Sequence, residues 1–205
     1  GILGSMKTLP VHVKGRLAIL PWFFSEEWEP ARNLAGGTCL PTHVLRIAEA
    51  MSGRSARLAW RALGKHRSPY GVTLEQTFTA VNERMQTELV ALECNNVYDA
   101  LDLLMQGIPS VLIVSGNVRI DYNYNTGICC EHSIARNARW PLSEAGARAF
   151  YHSFAVVGWD GGSKFNHLIV QENRSTYGFN GYCKLPVKAL IQNPDIGKFI
   201  GITAR

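Results

Sequence analysis

The chain has 205 residues, 46% of them hydrophobic and 18% charged, which is the composition of an ordinary globular domain. Its net charge of +5 comes from scattered basic residues with one modest cluster at 54–67, so we predict a solvated helix face and no nucleic-acid partner. No apolar run reaches the roughly 18 to 20 residues of a membrane-spanning helix, and we expect no membrane partner.

Helical patterns dominate the chain up to Pro109. Residues 1–5 precede Met6 and are expected to be a vector-derived remnant, which leaves 6–205 as a single domain. Apolar residues recur on one face over 40–51, and Ser52-Gly53 is a stop signal. A basic segment at 55–63 and a turn at 68–71 follow. Further helices are predicted over 74–86 and over 96–106, the latter capped by Asn95 or Asn96 and ended by Gly107.

Strand patterns dominate after Pro109. A β-branched run predicts a strand over 110–115, and strands over 150–159 and 166–171 are predicted to pair through the turn at 160–163. Further strands are expected over 177–185 and 199–203, joined by a connection at 186–197. The stretch between Val111 and Val156 has no clear period, and we interpret it as an insertion of loops.

Cys39 lies at the end of a glycine-rich turn. Residues 32–40 read Arg-Asn-Leu-Ala-Gly-Gly-Thr-Cys-Leu and lead directly into the first predicted helix. A thiol at a helix N-terminus faces unpaired backbone N–H groups and the positive end of the helix dipole, and both favour the thiolate. Cys39 is therefore the candidate nucleophile, and it needs a base.

The other cysteines do not have the spacing of a metal site. The chain has five cysteines but no Cys-x-x-Cys, and the cluster at 129–132, Cys-Cys-Glu-His, is tighter than known ligand patterns. We therefore predict neither a metal nor a cofactor. The odd number of cysteines leaves at least one thiol outside any disulfide within a monomer.

A histidine opens one of the predicted strands. Residues 152–159 read His-Ser-Phe-Ala-Val-Val-Gly-Trp, and residues 177–182 read Tyr-Gly-Phe-Asn-Gly-Tyr. Together with Gly37-Thr38-Cys39-Leu40, these segments resemble papain-like cysteine peptidases, whose motifs are Gly-Ser-Cys-Trp, His-Ala-Val-x-x-Val-Gly-Tyr and Trp-Gly-x-Asn-Gly-Tyr. The resemblance extends from about residue 33 to residue 185.

The resemblance implies a two-lobed α+β fold. A helical lobe would span about 30–108, and a lobe built on an antiparallel sheet or barrel would span about 109–205. Cys39 and His152 would form a thiolate–imidazolium pair in the cleft between the lobes, where the thiolate attacks a carbonyl and the imidazolium protonates the leaving amine.

The chain departs from the family at the supporting residues. Asn33 stands where the family has the glutamine of the oxyanion hole, and it offers the same amide on a shorter stem. The family's Asn-Ser-Trp-Gly, whose asparagine orients the histidine, is absent. Register favours Glu172 for that role, whereas residue type favours Asn173. Only one of them can serve, because adjacent strand residues face opposite sides.

Three functions are compatible with these residues. The first is peptide-bond hydrolysis by a monomeric cysteine protease acting on a protein or peptide substrate, in the cytoplasm or as an effector delivered into another cell. The second is related amide chemistry, such as isopeptide cleavage, transglutaminase-like acyl transfer or cell-wall amide hydrolysis. The third is an inactive binding module on a papain scaffold. His43, four residues after Cys39, is the competing candidate for the base.

Overall fold

The structure is a computed structural model, and it describes residues 8–20, 39–66, 72–114, 118–122, 130–136, 152–161, 166–171, 182–192, 194 and 197–205. In these ranges the chain mixes helices and strands. The helices are α1 (Cys39–Ser52), α2 (Arg57–Ala62), α3 (Leu74–Met85), α4 (Val97–Met105) and α5 (Val187–Gln192), with a 3-10 turn at Leu63–His66. The strands are β1 (His12–Lys14), β2 (Leu17–Ile19), β3 (Leu89–Glu93), β4 (Ser110–Val114), β5 (Val118–Tyr122), β6 (Cys130–Arg136), β7 (His152–Asp160), β8 (His167–Gln171), β9 (Tyr182–Pro186) and β10 (Gly197–Ala204).

Helix α1, which begins at the candidate nucleophile, is buried over more than half of its length. Every residue from Pro41 to Ala48 is buried, as expected for a helix that packs on more than one side. Pro41 lies in the first turn, where its missing N–H removes no intrahelical hydrogen bond. Gly53 follows the helix with φ +68°, the left-handed conformation that ends many helices. The predicted helix over 40–51 is confirmed.

Side-chain caps begin the next two long helices. Before α3, the Thr73 hydroxyl accepts a hydrogen bond from the Gln76 N–H at 3.1 Å, and the Gln76 side chain accepts one from the Thr73 N–H at 3.0 Å, forming a capping box. Before α4, the Asn96 side chain accepts from the Asp99 N–H at 3.1 Å. Both predicted helices are confirmed, and Asn96 is the cap of α4.

The strands form one large sheet with β7 at its centre. The strand order is β3-β10-β4-β7-β8-β9-β6-β5, and β2 adds to β7 and carries β1. Strands β6 and β9 are parallel, whereas the other described pairs are antiparallel. The predicted pairing of the strands over 150–159 and 166–171 is confirmed by β7 and β8.

The two faces of β7 belong to different hydrophobic clusters. Ala155 and Val157 pack in the cluster that contains α1. Phe154 and Val156 pack in the cluster that contains residues of α4 and α5. This alternation is the period-2 pattern of a strand that is buried on both sides. We call these surfaces the α1 face and the α4 face of the sheet.

Gly158 accommodates a β-bulge in β7. The register with β8 shifts between Val156 and Gly158, and a Cβ added at Gly158 would lie 2.8 Å from the Ala18 carbonyl oxygen. A side chain at this position would therefore collide with β2. Glycine is needed at this position of the motif at 152–159 because the absence of a side chain allows β2 to pair with β7.

Two sequence interpretations were wrong. The stretch between Val111 and Val156 was expected to consist of loops, but it contains β5 and β6, which pair with each other. The signal was a five-residue alternation, Val-Arg-Ile-Asp-Tyr at 118–122, which is short for recognition from pattern alone. The connection at 186–197 contains α5, which is only six residues long. Strands β1, β2 and β3 were also not predicted.

No helix in the described ranges is long and apolar enough to cross a membrane.

Candidate active site

Cys39 is the first residue of α1. The residue is half-buried, and its sulfur is not in a disulfide. The helix that follows has 14 residues, and the N–H groups of a first helical turn have no intrahelical acceptor. Cys39 therefore has the helix-terminal position that the sequence predicted, where an anionic sulfur is stabilised by the helix dipole.

His152 is the first residue of β7. Its Cα is paired with that of Val114 on β4. Helix α1 packs against β7, so the helix that begins at the candidate nucleophile lies on the strand that begins at the candidate base. These two residues are 113 positions apart in the sequence, and the tertiary structure brings their two elements into contact.

His43 joins the two elements directly. Its side chain is 1% exposed, and its Nε2 lies 3.2 Å from the carbonyl oxygen of Ser153, the residue after His152. A carbonyl oxygen can only accept, so Nε2 carries the hydrogen and donates it. This bond occupies Nε2 as a donor, whereas Nδ1 of the same neutral ring carries no hydrogen and is able to take a proton, so the interpretation of His43 as the competing base stays a prediction.

Two further polar side chains are buried on the α1 face. Ser153 is 1% exposed and Gln171 is 0% exposed. Gln171 is paired with Ala155, so strand alternation places Gln171 and Ser153 on the same face. Within the described part of the chain, neither the Ser153 hydroxyl nor the Gln171 amide has a hydrogen-bond partner. Such groups are costly to bury, which makes this face chemically distinctive.

Sequence reasoning missed Gln171. The signal was a glutamine at the end of a strand that otherwise reads His-Leu-Ile-Val. All five residues of that strand are buried, and an amide at the last position of a buried strand is unusual. The residue immediately precedes Glu172 in the sequence.

Several predicted site residues lie outside the described ranges. They are Asn33, Glu172 and Asn173, together with the glycine-rich turn before Cys39. Their predicted roles as oxyanion donor and histidine-orienting residue remain predictions.

Cys94 provides the contrasting thiol environment. It is 8% exposed and lies between β3 and α4. Burial raises the pKa of the Cys94 thiol and the nearby Asp99 carboxylate adds to the increase, against a smaller lowering by a hydrogen bond with the backbone of Gly201. A buried thiol of this kind is expected to be inert.

Within the described part of the chain, no metal cluster is found, and the cavity that is described does not adjoin Cys39. Among the residues that the structure describes, no group of three or more His, Cys, Asp or Glu side chains could hold a metal ion. A cavity of about 340 Å³ is lined by Ala48, Met51 and residues that include Arg54 and Glu88. Ala48 is nine residues beyond Cys39, which corresponds to about 13 Å along the helix axis, so this cavity is remote from Cys39.

Solved structures that resemble the chain include papain-like cysteine peptidases, the family that the sequence motifs resemble. A Bacillus anthracis protein described as a C39-like peptidase is 12% identical, with a TM-score of 0.47 over 82% of this chain and 88% of that chain. Digestive procathepsin L 3 of the Tenebrio molitor larval midgut is 12% identical, with a TM-score of 0.48 over 80% of this chain and 63% of that chain.

Xylellain, a cysteine protease from Xylella fastidiosa, is 19% identical, with a TM-score of 0.35 over 55% of this chain and 39% of that chain. No protein-family model and no curated protein matches the sequence.

Proposed function

We propose that the chain is a cysteine protease that hydrolyses peptide bonds through a Cys39 thiolate and His152 as general acid and base. The observation that carries the proposal is the packing of α1, which begins at Cys39, against β7, which begins at His152. A helix terminus that favours a thiolate and a histidine on the adjoining strand are the two components that thiol hydrolysis requires.

The proposed reaction proceeds through an acyl-enzyme. The Cys39 sulfur attacks the peptide carbonyl carbon, and the electron pair of the C=O bond moves to the oxygen. When the C–N bond breaks, the His152 imidazolium gives its proton to the leaving amine. The neutral imidazole then takes a proton from water, whose oxygen attacks the thioester, and Cys39 leaves as the thiolate.

The supporting residues are part of the same proposal. The Asn33 amide and the Cys39 backbone N–H would donate hydrogen bonds to the oxyanion. Glu172 or Asn173 would orient the His152 ring. The proposed fold is two-lobed, with a helical lobe over about 30–108, a sheet lobe over about 109–205 and a protein or peptide substrate between them. The protein would act as a monomer.

The test is selective alkylation of native protein by limiting iodoacetamide from about pH 5 to about pH 9, mapped by peptide mass spectrometry. We expect Cys39 to react far faster than Cys94 below neutral pH, and we expect His152→Ala to abolish that selectivity. His12→Ala is the matched control, because His12 is exposed on β1. If Cys39 reacts no faster than Cys94, or if His152→Ala has no effect, the proposal is wrong and the binding-module function replaces it.

A second measurement separates hydrolysis from acyl transfer. Cleavage of a peptide library is followed by mass spectrometry with and without an added primary amine, using Cys39→Ala as the inactive control. Hydrolysis predicts carboxylate products in both samples. Products that carry the added amine would instead favour transglutaminase-like transfer, because the two reactions share the acyl-enzyme and differ only in the acceptor.

A further inference from the structure

The link between α1 and β7 at His43 is a specific chemical contact as well as a packing contact. The imidazole is 1% exposed, and its Nε2 donates to the Ser153 carbonyl oxygen at 3.2 Å. An apolar side chain of similar volume would fill the space without the cost of burying a ring with two polar nitrogens. A purely structural contact between this helix and this strand therefore needs no histidine.

The hydrogen bond lies close to both proposed catalytic residues. His43 is one helical turn beyond Cys39, a rise of about 6 Å along the axis. Ser153 follows His152, and consecutive Cα atoms are about 3.8 Å apart. A movement of α1 along or away from β7 would therefore change the distance between Cys39 and His152. The same movement would strain the hydrogen bond between His43 and Ser153.

The acceptor of the His43 hydrogen bond is a backbone atom, the Ser153 carbonyl oxygen, whose position is fixed by strand pairing. A carbonyl oxygen on a paired strand cannot follow a moving side chain, and Ser153 is paired with Ile113 on β4, while β7 also pairs with β8 from Ala155 onward. The side chains of Ser153 and Gln171 add polar groups on the same buried face. Buried polar contacts specify one arrangement of the elements more strongly than apolar packing, which tolerates small shifts.

We propose that His43 is a positioning residue for the cysteine protease site, which sets the distance and register between the Cys39 helix and the His152 strand through its bond to the Ser153 carbonyl. The inference rests on the proposed function of Cys39 and His152. His43 does not exchange a proton with the substrate. Its Nε2–H holds the two elements at the separation at which the thiolate–imidazolium pair forms.

Two substitutions of His43 by amide side chains of different length test whether the donor must extend as far as the Ser153 carbonyl oxygen. In His43→Gln the amide nitrogen is as far from Cβ as Nε2 of histidine, whereas in His43→Asn it extends only as far as Nδ1. We expect His43→Asn to slow Cys39 alkylation at about pH 6 on the order of tenfold to a hundredfold, as for other small misplacements of reacting groups. In His43→Asn, we expect the pH dependence of Cys39 alkylation to move toward that of an ordinary thiol. In His43→Gln, we expect Cys39 to retain most of the wild-type alkylation rate and its pH dependence.

A destabilised control separates positioning from loss of stability. Ile47→Ala removes a buried apolar side chain of the same helix, and it is expected to lower the unfolding free energy without changing the pH profile of Cys39 in the folded protein. If His43→Asn retains the wild-type rate and profile, the inference is wrong and the proposed function stands. If wild-type Cys39 itself reacts no faster than Cys94, both are wrong.

Nuclear magnetic resonance of the wild-type protein tests the bond without a variant. The nitrogen chemical shifts of a labelled His43 ring distinguish the tautomer that carries hydrogen on Nε2 from the one that carries it on Nδ1. We expect the Nε2–H tautomer and slow exchange of that hydrogen with solvent. The Nδ1–H tautomer would overturn the inference even if every His43 variant failed to fold.

Discussion

Along β7 and β8, the two faces of the central sheet bury different kinds of side chain. On the α4 face, Phe154, Val156 and Leu168 belong to a cluster of apolar residues. On the α1 face, apolar residues alternate with the buried polar side chains of Ser153 and Gln171. Both faces are equally well shielded from water, so the difference is in chemistry rather than exposure.

The thiols of Cys94 and Cys39 also differ in their surroundings. Cys94 is buried next to the α4 face, where burial raises its pKa. Cys39 begins α1 and is half-buried. Burying polar groups costs free energy unless they are satisfied, so a fold retains them where they contribute something that packing cannot. The comparison places the polar side chains described on β7 and β8 on the face that packs against α1, the helix that begins at the proposed nucleophile.

The largest effect on stability is expected from Leu168→Ala on the α4 face. Leu168 is 0% exposed, and removing such a side chain leaves a cavity that costs about 2–5 kcal/mol of unfolding free energy. Urea titration measures the loss, and Leu58→Ala, at a leucine 58% exposed, is the matched control with little expected change. If Leu168→Ala slows Cys39 alkylation in the folded protein tenfold or more, the two faces are not functionally separate.

The next effect is the pH dependence that Cys94 adds to stability. Because its pKa is raised in the folded protein, the unfolded chain loses this proton first as pH rises. The unfolding free energy should therefore fall above the ordinary thiol pKa of 9.0, by at most about 1.4 kcal/mol per pH unit. Below that pH the contribution is constant.

Urea titrations at several pH values, in wild type and Cys94→Ala, measure this decline. We expect Cys94→Ala to lose the share of the decline in unfolding free energy that Cys94 causes. We expect Cys39→Ala to keep that share. An identical decline in wild type and Cys94→Ala would contradict the assignment of Cys94 to a desolvated site.

A smaller effect is expected at the cap of α4. Asn96→Ala removes the acceptor for the Asp99 N–H and should cost about 1 kcal/mol of unfolding free energy. Asn96→Asp keeps a side-chain acceptor and should cost much less. Both variants should leave Cys39 alkylation unchanged, since the first turn of α4, with Val97 and Ala100, packs in the cluster that does not contain α1. Equal losses for Asn96→Ala and Asn96→Asp would mean that the cap is not the cause.

The smallest effect is expected at the ion pair of Lys198 and Glu93, 3.4 Å apart with side chains 59% and 80% exposed. Solvent screens such a pair, so Lys198→Met should change the unfolding free energy by less than about 0.5 kcal/mol. Lys184→Met is the comparison, because Lys184 lies 3.1 Å from Asp160 and both side chains are less exposed. Urea titration should rank Lys184→Met as the more destabilising variant.

Local signals were sufficient for the long elements. Helices α1, α3 and α4 have apolar periodicity within their own segments, and α3 and α4 also have side-chain caps, so each could be predicted without knowledge of its neighbours. The strands β7 and β8 were predicted as a pair because their apolar runs flank a turn. Cys39 was selected by its position between a glycine-rich turn and a helix, and His152 was selected by the resemblance of its segment to a motif of papain-like peptidases.

Short elements could not be recognised in this way. Strand β3 pairs with β10, and β2 pairs with β7, far along the chain in both cases. Strands of three to five residues have little propensity of their own and depend on their partners for stability. Arg46 illustrates the same limit for a side chain, because the sequence groups it with the scattered basic residues whereas the structure buries it at 1% exposure.

The sequence by itself determined the long helices and the central hairpin, because each of these depends on neighbours within a few positions. It also supplied the two candidate catalytic residues, Cys39 from its position before a helix and His152 from the family resemblance of its segment. Only the tertiary structure decided that α1 lies on β7, that His43 is bonded to Ser153, and that Gln171 is buried on the same face. These features join residues more than a hundred positions apart, and such contacts depend on the packing of the whole chain rather than on local propensity.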